Sequence, residues 1–440
     1  MFWRSSVPKR LVHKMASKLP SHNPYFNASG KDIWSLINES AATAATKSDR
    51  EIINLGQGFF SYSPPKFVIE AAKTALDTPM NNQYAHTRGK PTLLNALAKT
   101  YTKRYGREVK TDEILVTTGA NEALLTILTG FLQKEDEVIV FEPFFDQYIS
   151  NIEIPGGKVV YVPLHPPADM SKRNVKGEEW AIDFDELEAA ITEKTKFILI
   201  NTPHNPIGKV FSRDELTKIG ALAVKHNILI ISDEVYENLY YGDEFPRIAT
   251  LSPEINDRTL SIFSAGKSFA ATGWRIGWII GNPELVKYAS LAHTRICFST
   301  PAPLQEACAT ALLEAGTNGY FEKTREEYRH KYEILTKVFT ELGLPYTIAD
   351  GAYYLLVDFS KVKIPEDYPY NDDFKDRAKD FKTAYWLINE LGVVTIPPTE
   401  FYIKEHEHLA ENLLRFALCK DDEVLEKAVV RLRELKKFIV

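Results

Sequence analysis

The stretch Thr259-Leu-Ser-Ile-Phe-Ser264-Ala-Gly-Lys267-Ser-Phe-Ala-Ala-Thr-Gly-Trp-Arg275-Ile-Gly-Trp-Ile-Ile-Gly281 joins two short apolar runs through a segment of small residues. The runs 259–264 and 276–281 have the length and composition of buried β-strands. The segment between them is too short for a crossover helix, which a parallel pair of neighbouring strands requires. We therefore predict a mixed sheet with at least one antiparallel strand at its edge.

Five earlier runs share this short, apolar, β-branched character, and longer helical patterns separate them. They are 114–118, 137–141, 158–162, 196–201 and 228–232. Continuous apolar strands that alternate with helices are typical of an α/β sheet covered on both faces. The predicted fold is thus an α/β large domain with a mixed seven-stranded sheet covered by helices.

A chain of 440 residues is long for a single core, so we predict a second, smaller α/β domain. The expected division has a basic N-terminal segment over 1–31 and an N-terminal part of the small domain over 32–60. The large cofactor-binding domain follows over 61–315, and the small C-terminal domain occupies 316–440. Strand-like runs at 352–358 and 392–396 and a charged helix over 422–438 belong to this last part.

Composition narrows the class of partner. The net charge of −6 does not favour binding to nucleic acid. The three cysteines are too few and too scattered for a disulfide framework. No apolar stretch approaches the roughly 20 residues that a bilayer-spanning helix needs. We expect small-molecule substrates, no nucleic acid and no membrane.

The N-terminal segment has a composition of its own. Residues 1–31 contain six Lys or Arg, frequent serines and no acidic residue, which is typical of mitochondrial targeting segments. A disordered basic tail is the alternative, and a start at Met15 would leave a cytosolic form. The expected location is cytoplasmic, mitochondrial or both.

The small-residue segment carries the first chemical signal. A cofactor with both an aldehyde and a phosphate needs a primary amine for the first and compact donors for the second. Lys267 offers the amine, and Ser264 and Arg275 offer the donors, so we predict pyridoxal 5′-phosphate (PLP). The Ser-x-x-Lys spacing also matches serine β-lactamases, but the Lys-Thr-Gly element that they need is missing, and Ser232-Asp-Glu234 replaces their Ser-Asp-Asn.

Further candidates follow other predicted strands, where open α/β sheets bind ligands. Asp233 ends one strand and could pair with a protonated pyridine nitrogen, although a helix N-cap is the alternative. Tyr236, three residues on, and Asn205, in a turn with two prolines, could donate to the cofactor's phenolic oxygen. We interpret His204 as a turn residue, since the lysine amine is available as a base.

Two more segments complete the predicted cofactor site. The turn Gly119-Ala120-Asn121 leads into a helix, and backbone amides at a helix start can hold a phosphate. Phe145 follows another strand and could stack on the pyridine ring, whereas core packing fits Phe144 better. No metal site is predicted, because His406-Glu-His408 lacks the i, i+4 histidine pair of zinc helices.

Together these residues resemble a known family. The chain is similar, from about Trp34 onward, to fold-type I PLP enzymes of the class I aminotransferase family, in the kynurenine aminotransferase, glutamine transaminase K and cysteine-conjugate β-lyase group, with fungal kynurenine aminotransferases most alike. The resemblance rests on Asn54-Leu-Gly-Gln-Gly58, Asn82-Gln-Tyr84, Asn201-Thr-Pro-His-Asn-Pro-Ile-Gly208, Ser232-Asp-Glu-Val-Tyr236, Ser264-Ala-Gly-Lys267, Gly273-Trp-Arg-Ile-Gly277 and Leu414-Arg415-Phe416.

The resemblance implies a role for each matching residue. Lys267, Asp233 and Tyr236 would be catalytic, with Lys267 holding the cofactor as a Schiff base. Arg415 would bind the substrate's α-carboxylate, helped by Gly58 and Asn205. The remaining cofactor contacts would come from Ala120, Asn121, Phe145, Asn205, Asp233, Tyr236, Ser264, Arg275 and Tyr84, with Tyr84 acting from the partner subunit of a homodimer.

The implied reaction is transamination of kynurenine, and of other aromatic or glutamine-like amino acids, with a 2-oxo acid, giving kynurenic acid after cyclisation. Trp34 and Phe298 would line the side-chain pocket. Asn121 and Ser299 replace an aromatic ring and a histidine of animal members, so the substrate ranking is left open. Cysteine-conjugate β-elimination and a broad glutamine or aromatic aminotransferase are the alternatives. A non-catalytic PLP domain of a transcription regulator is disfavoured, because too few residues precede Trp34 for a DNA-binding domain.

Overall fold

The structure, a computed structural model, describes residues 31–47 and 49–439 together with Asn23, Tyr25 and Phe26. Most of the predicted targeting segment lies outside the described residues. Within the described part of the chain, no helix is long and apolar enough to cross a membrane.

Helices and strands alternate through most of the chain. The α-helices are α1 (Ile33–Lys47), α2 (Lys66–Asp77), α3 (Pro91–Tyr105), α4 (Ala120–Phe131), α5 (Gln147–Glu153), α6 (Phe184–Ala189), α7 (Arg213–Lys225), α8 (Pro253–Asn256), α9 (Ala265–Ser268), α10 (Pro283–Ile296), α11 (Ala302–Ala315), α12 (Tyr320–Leu342), α13 (Lys379–Leu391) and α14 (Asp422–Leu432). The strands are β1 (Ile53–Asn54), β2 (Ile114–Thr117), β3 (Glu137–Glu142), β4 (Lys158–His165), β5 (Val175–Lys176), β6 (Ala181–Ile182), β7 (Thr195–Asn201), β8 (Leu229–Asp233), β9 (Thr259–Ser264), β10 (Gly277–Gly281), β11 (Thr347–Ile348), β12 (Tyr354–Asp358), β13 (Val393–Val394) and β14 (Leu413–Ala417).

The main sheet has the order β2-β10-β9-β8-β7-β3-β4-β6. All seven predicted strands are present, and the mixed sheet is confirmed. Strand β10 is antiparallel to both β2 and β9 but lies second in the sheet, so the strand pair that suggested an antiparallel edge is not itself at the edge. An antiparallel edge strand is nevertheless present, because β6 ends the sheet and is antiparallel to β4. The eighth strand, β6, was not predicted. It pairs antiparallel with the end of β4. With only two residues, β6 is too short to show a hydrophobic pattern in the sequence.

The sheet is buried on both faces. Successive side chains of a strand point to opposite faces, and Ile230 and Ile231 in β8 accordingly pack into two different hydrophobic clusters. Both residues are fully buried. This double coverage explains why the strands of the sheet are continuously apolar in sequence.

The C-terminal part contains two short strand pairs. Strands β12 and β14 are antiparallel, with Leu356 opposite Arg415. Strand β1, near the N-terminal end of the described chain, pairs parallel with β13 through Ile53 and Val393. These pairings bring residues 53–58 and Arg415 to the same region of the molecule.

Candidate active site

The carboxyl ends of several strands meet at one edge of the main sheet. Asn201 at the end of β7 is the register partner of Asp233 at the end of β8. Gly277, which begins β10, lies opposite Ser264 on one side and Thr117 on the other. The loops that follow β2, β7, β8 and β9 therefore start at the same edge, as expected for a ligand site in an α/β sheet.

A cavity of about 230 Å³ lies at this edge. Nine residues that the sequence singles out for cofactor binding line it together: Ala120, Asn121, Phe145, Asn205, Asp233, Tyr236, Ser264, Lys267 and Arg275. Tyr148 and Tyr354 also line it. The structure thus gathers residues from six separate segments around one cavity.

One end of the cavity is built to hold an anion. Helix α4 begins there behind Gly119, whose φ is +83°, and no side chain caps the helix. A Cβ atom at Gly119 would lie 2.4 Å from Nη2 of Arg275, so only glycine leaves room for the guanidinium. Uncapped N–H groups at a helix start together with a guanidinium suit a phosphate.

Asp233 presents a buried carboxylate to the cavity. Its Oδ2 accepts a hydrogen bond from the hydroxyl of Tyr148 at 2.5 Å. Burial raises the pKa of Asp233 to about 6. A carboxylate in this setting gains from a cationic partner, and a protonated ring nitrogen is a partner of that kind.

Replacing Asp233 by Asn should stabilise the protein when no cofactor is bound, by up to about 3 kcal/mol at pH 8. The folded pKa of about 6 lies above the ordinary value of 3.8, so Asp233 reduces stability as the pH rises from about 4 to about 6. Urea denaturation of both apoproteins measures the difference, which should fall to about half at pH 5. An apoprotein that Asp233→Asn destabilises at pH 8 would contradict this expectation.

Lys267 lies beside two tyrosines, Tyr353 and Tyr236. Its Nζ donates to the hydroxyl of Tyr353 at 2.8 Å, and that hydroxyl donates to the carbonyl oxygen of Gly58 at 3.0 Å. The amine is also 5.5 Å from the ring centroid of Tyr236. The hydroxyl of Tyr236 lies 3.1 Å from that of Tyr354. The amine is thus oriented by one hydroxyl and surrounded by aromatic rings.

Arg415 is 1% exposed and lies among aromatic rings, with its guanidinium carbon 4.5 Å from the ring centroid of Tyr354 and 5.6 Å from that of Trp34. It donates to Oδ1 of Asn205 at 3.0 Å and to the carbonyl oxygen of Gly56 at 2.8 Å. Its buried Nε has no hydrogen-bond partner among the residues that the structure describes. A buried guanidinium with an unused donor is suited to a carboxylate.

Asn205 connects the cavity to Arg415. Its backbone N–H donates to Oδ1 of Asn201 at 2.8 Å, which fixes the turn. Because its Oδ1 accepts from Arg415, its side-chain amide nitrogen is left to donate into the cavity. His204 is 2% exposed, and burial lowers its pKa to about 3, so it stays neutral within the turn.

The structure does not bring every predicted residue into this cavity. The side chain of Tyr84 is 88% exposed and that of Phe298 is 50% exposed. Their rings meet edge to face at 5.5 Å, away from the cavity lining. Trp34 reaches the site indirectly, through its contact with Arg415 and through a hydrogen bond from its Nε1 to Asp146 Oδ2 at 3.0 Å.

Three tyrosines of the site were not predicted from the sequence: Tyr148, Tyr353 and Tyr354. Tyr148 lies three residues after Phe145, in the first turn of α5, and this closeness to a predicted site residue gives some signal. Tyr354 begins β12 and Tyr353 directly precedes it, and nothing in their spacing connects them to Lys267. Tyr353 supplies the hydroxyl at the amine, and the ring of Tyr354 lies against the guanidinium of Arg415.

The chain belongs to the family of class I and II aminotransferases, whose model matches residues 50–432. It is 63% identical to the Saccharomyces cerevisiae protein named "Probable kynurenine–oxoglutarate transaminase BNA3", over 95% of each chain. It is 39% identical to the kynurenine–oxoglutarate transaminase of Dictyostelium discoideum, over 88% of this chain and 91% of that one. The crystal structure of Bna3p from S. cerevisiae superimposes with a TM-score of 0.95 at 62% identity, covering 96% of this chain and all of that one. These comparisons confirm the predicted family and fold class, and the protein is an aminotransferase.

Proposed function

We propose that this aminotransferase uses PLP to transfer the amino group of kynurenine to a 2-oxo acid, and that the product cyclises to kynurenic acid. The observation that carries the proposal is a cavity that Lys267 and Arg275 line together, with the buried Arg415 bonded to Asn205 of the same lining. Relatives at 63% and 39% identity are named kynurenine–oxoglutarate transaminases, which supports kynurenine as the amino donor. Cysteine-conjugate β-elimination is not favoured by those names.

The lining of the cavity fits PLP. Uncapped amides of α4 and the guanidinium of Arg275 would hold the phosphate with Ser264, and Asp233 would pair with the ring nitrogen. Asn205 and Tyr236 would donate to the phenolic oxygen, and Phe145 would cover the ring. When bound, PLP supplies an aldehyde that condenses with amines and a ring that withdraws electrons.

The side chains of the protein would transfer the substrate's α-proton and hold the substrate in position for that transfer. When free, the amine of Lys267 would be the base that takes the substrate's α-proton onto Nζ and would donate it from there to the carbon that carries the cofactor's aldehyde. Tyr353 holds that amine and is itself anchored on Gly58. Arg415 holds the α-carboxylate, so the Cα–H bond faces the amine in both half-reactions.

Product analysis tests the proposal directly. Purified holoenzyme is incubated with kynurenine and 2-oxoglutarate, and kynurenic acid and glutamate are quantified by chromatography. We expect both products in equal amounts and parallel-line, ping-pong kinetics, because each half-reaction uses the same site. A cysteine conjugate serves as the comparison substrate, with pyruvate as its signature product. Release of pyruvate without formation of kynurenic acid would instead assign the β-lyase activity.

We further propose a homodimer in which Tyr84 contacts the phosphate bound by the partner subunit. This placement would explain an 88% exposed tyrosine beside the exposed Phe298. Tyr84→Phe should then raise the cofactor's Kd by about 10- to 100-fold, since a hydrogen bond to a charged group contributes about 1.5–3 kcal/mol. Cofactor titration of the apoprotein measures the change.

A matched control comes from Tyr288, which is 46% exposed and does not line the cavity. Tyr288→Phe should leave the Kd unchanged. An unchanged Kd in Tyr84→Phe as well, or a monomer by sedimentation at micromolar concentration, would refute the shared site.

The domain division and the location also remain proposals. Pairing of β1 with β13 supports grouping residues 32–60 with 316–440 in a small domain beside the large domain over 61–315. The basic composition of residues 1–31 supports mitochondrial import in addition to a cytoplasmic form.

A further inference from the structure

Three side chains with metal-ligating atoms meet outside the cavity lining. Nδ1 of His293 lies 2.9 Å from Oε1 of Glu122 and 3.3 Å from Sγ of Cys297. All three donor atoms lie within 4.8 Å of one another. No role in the proposed transamination requires this cluster.

The local structure explains how the cluster forms. His293 and Cys297 lie four residues apart at the C-terminal end of α10, so they share one face of the helix. Glu122 lies in the first turn of α4, which packs against α10. Because Glu122 precedes His293 by 171 residues, only the fold reveals the third ligand.

We propose that Glu122, His293 and Cys297 form a binding site for a borderline divalent cation of the Zn²⁺ type. Nitrogen, oxygen and sulfur ligands at about 2.0–2.3 Å from a tetrahedral ion lie roughly 3.3–3.8 Å apart. The separation of Nδ1 and Sγ, 3.3 Å, lies in that range, the separation of Nδ1 and Oε1, 2.9 Å, is shorter, and no separation exceeds 4.8 Å, so the side chains would rotate to bind the ion. Imidazole and thiolate ligands favour Zn²⁺ or Co²⁺ over Mg²⁺ and Ca²⁺, which prefer oxygen.

Access and proton balance are compatible with such an ion. The side chain of His293 is fully buried and that of Glu122 is 11% exposed, while Cys297 is partly exposed and opens the site to solvent. Only the thiolate binds a metal ion, so the Cys297 thiol must lose its proton when the ion binds. Binding forms a metal–sulfur bond and releases that proton to solvent, with no change of oxidation state.

The proposed metal site lies beside the proposed active site. Glu122 directly follows Asn121, which lines the cavity, and Cys297 directly precedes Phe298. The hydroxyl of Thr118 lies 3.3 Å from Sγ of Cys297, where a fourth ligand or a ligated water could be held. An ion here would connect the start of α4 to the end of α10.

Cobalt titration of the chelator-treated holoenzyme tests the proposal. We expect one Co²⁺ per chain, with the strong visible absorption of a four-coordinate ion and a thiolate-to-cobalt charge-transfer band, and displacement of Co²⁺ by Zn²⁺. Cys297→Ser should remove the charge-transfer band and weaken binding at least tenfold, because loss of even an outer-shell partner costs about 10- to 100-fold. Glu122→Gln should weaken binding without removing that band.

Cys308→Ser is the matched control, since Cys308 is a buried thiol outside the cluster. Its cobalt spectrum and affinity should equal those of the unmodified chain, and the PLP absorbance of every variant confirms a folded holoenzyme. Two results would overturn the proposal: no uptake of Co²⁺ by the unmodified holoenzyme, or undiminished binding by Cys297→Ser.

Discussion

Lys267→Ala should lose transamination by about 10⁴-fold or more while still binding the cofactor through its phosphate. General-base catalysis by a positioned side chain contributes about 10²–10⁴-fold, and Lys267 is proposed both as that base and as the cofactor's covalent partner. Its Nζ is the amine that Tyr353 holds in the cavity at 2.8 Å. The anion site around Gly119 and Arg275 does not involve Lys267, so affinity for the phosphate should largely remain.

Single-turnover kinetics with kynurenine measure this loss, and two comparisons sharpen it. Lys267→Arg keeps a cation of similar length but has no nucleophilic amine, so it should be as inactive as Lys267→Ala. Added ethylamine should partly restore activity to Lys267→Ala, where the deletion leaves space, and not to Lys267→Arg. Turnover by Lys267→Ala near the rate of the unmodified enzyme would contradict the assigned role.

Most of the main sheet was predictable because its strands are buried on both faces. Ile230 and Ile231 pack into different clusters, and burial on both faces explains why the run from Ile228 to Ile231 is continuously apolar in sequence. The strand ends were predictable for the same reason, since Asp233 interrupts an apolar run. Strand β6 escaped prediction because two residues cannot show a period.

Tyr353 and Tyr354 were not predictable, unlike Tyr236, because their contacts with the site are long-range. Tyr353 follows Lys267 by 86 residues, and the hydroxyls of Tyr236 and Tyr354 meet across 118 residues. Tyrosine is common at buried positions with one polar contact, so its presence at the start of β12 carries no functional signal. Only the packing of the C-terminal part onto the sheet edge places these hydroxyls at the amine.

Arg415 could be identified from a sequence motif, but its contacts could not. The resemblance singled out this arginine, but its partners depend on the fold: Asn205 lies 210 residues earlier, and Gly56 lies 359 residues earlier. The unused Nε in an aromatic surround could not be inferred from the three-residue motif that contains it. Those contacts now allow a quantitative expectation for its removal.

Arg415→Gln should lower kcat/KM for both kynurenine and 2-oxoglutarate by roughly 30- to 3,000-fold, since removing one partner of a buried charged pair costs about 2–5 kcal/mol. In the proposed role both substrates would present a carboxylate to the same guanidinium, so a loss confined to one half-reaction would contradict that role. Glutamine can still donate a hydrogen bond to Asn205 or Gly56, which limits structural damage, and an unchanged cofactor Kd verifies that.

Arg415→Lys separates charge from geometry in this site. Lysine keeps the positive charge but cannot donate to Asn205, Gly56 and a carboxylate from one planar group, as the guanidinium can. Its kcat/KM should therefore fall between those of Arg415→Gln and the unmodified enzyme. Equal activity of Arg415→Lys and the unmodified enzyme would mean that charge alone binds the substrate. Equal loss in both variants would mean that the planar fork orients the carboxylate, and the Cα–H bond with it, toward Lys267.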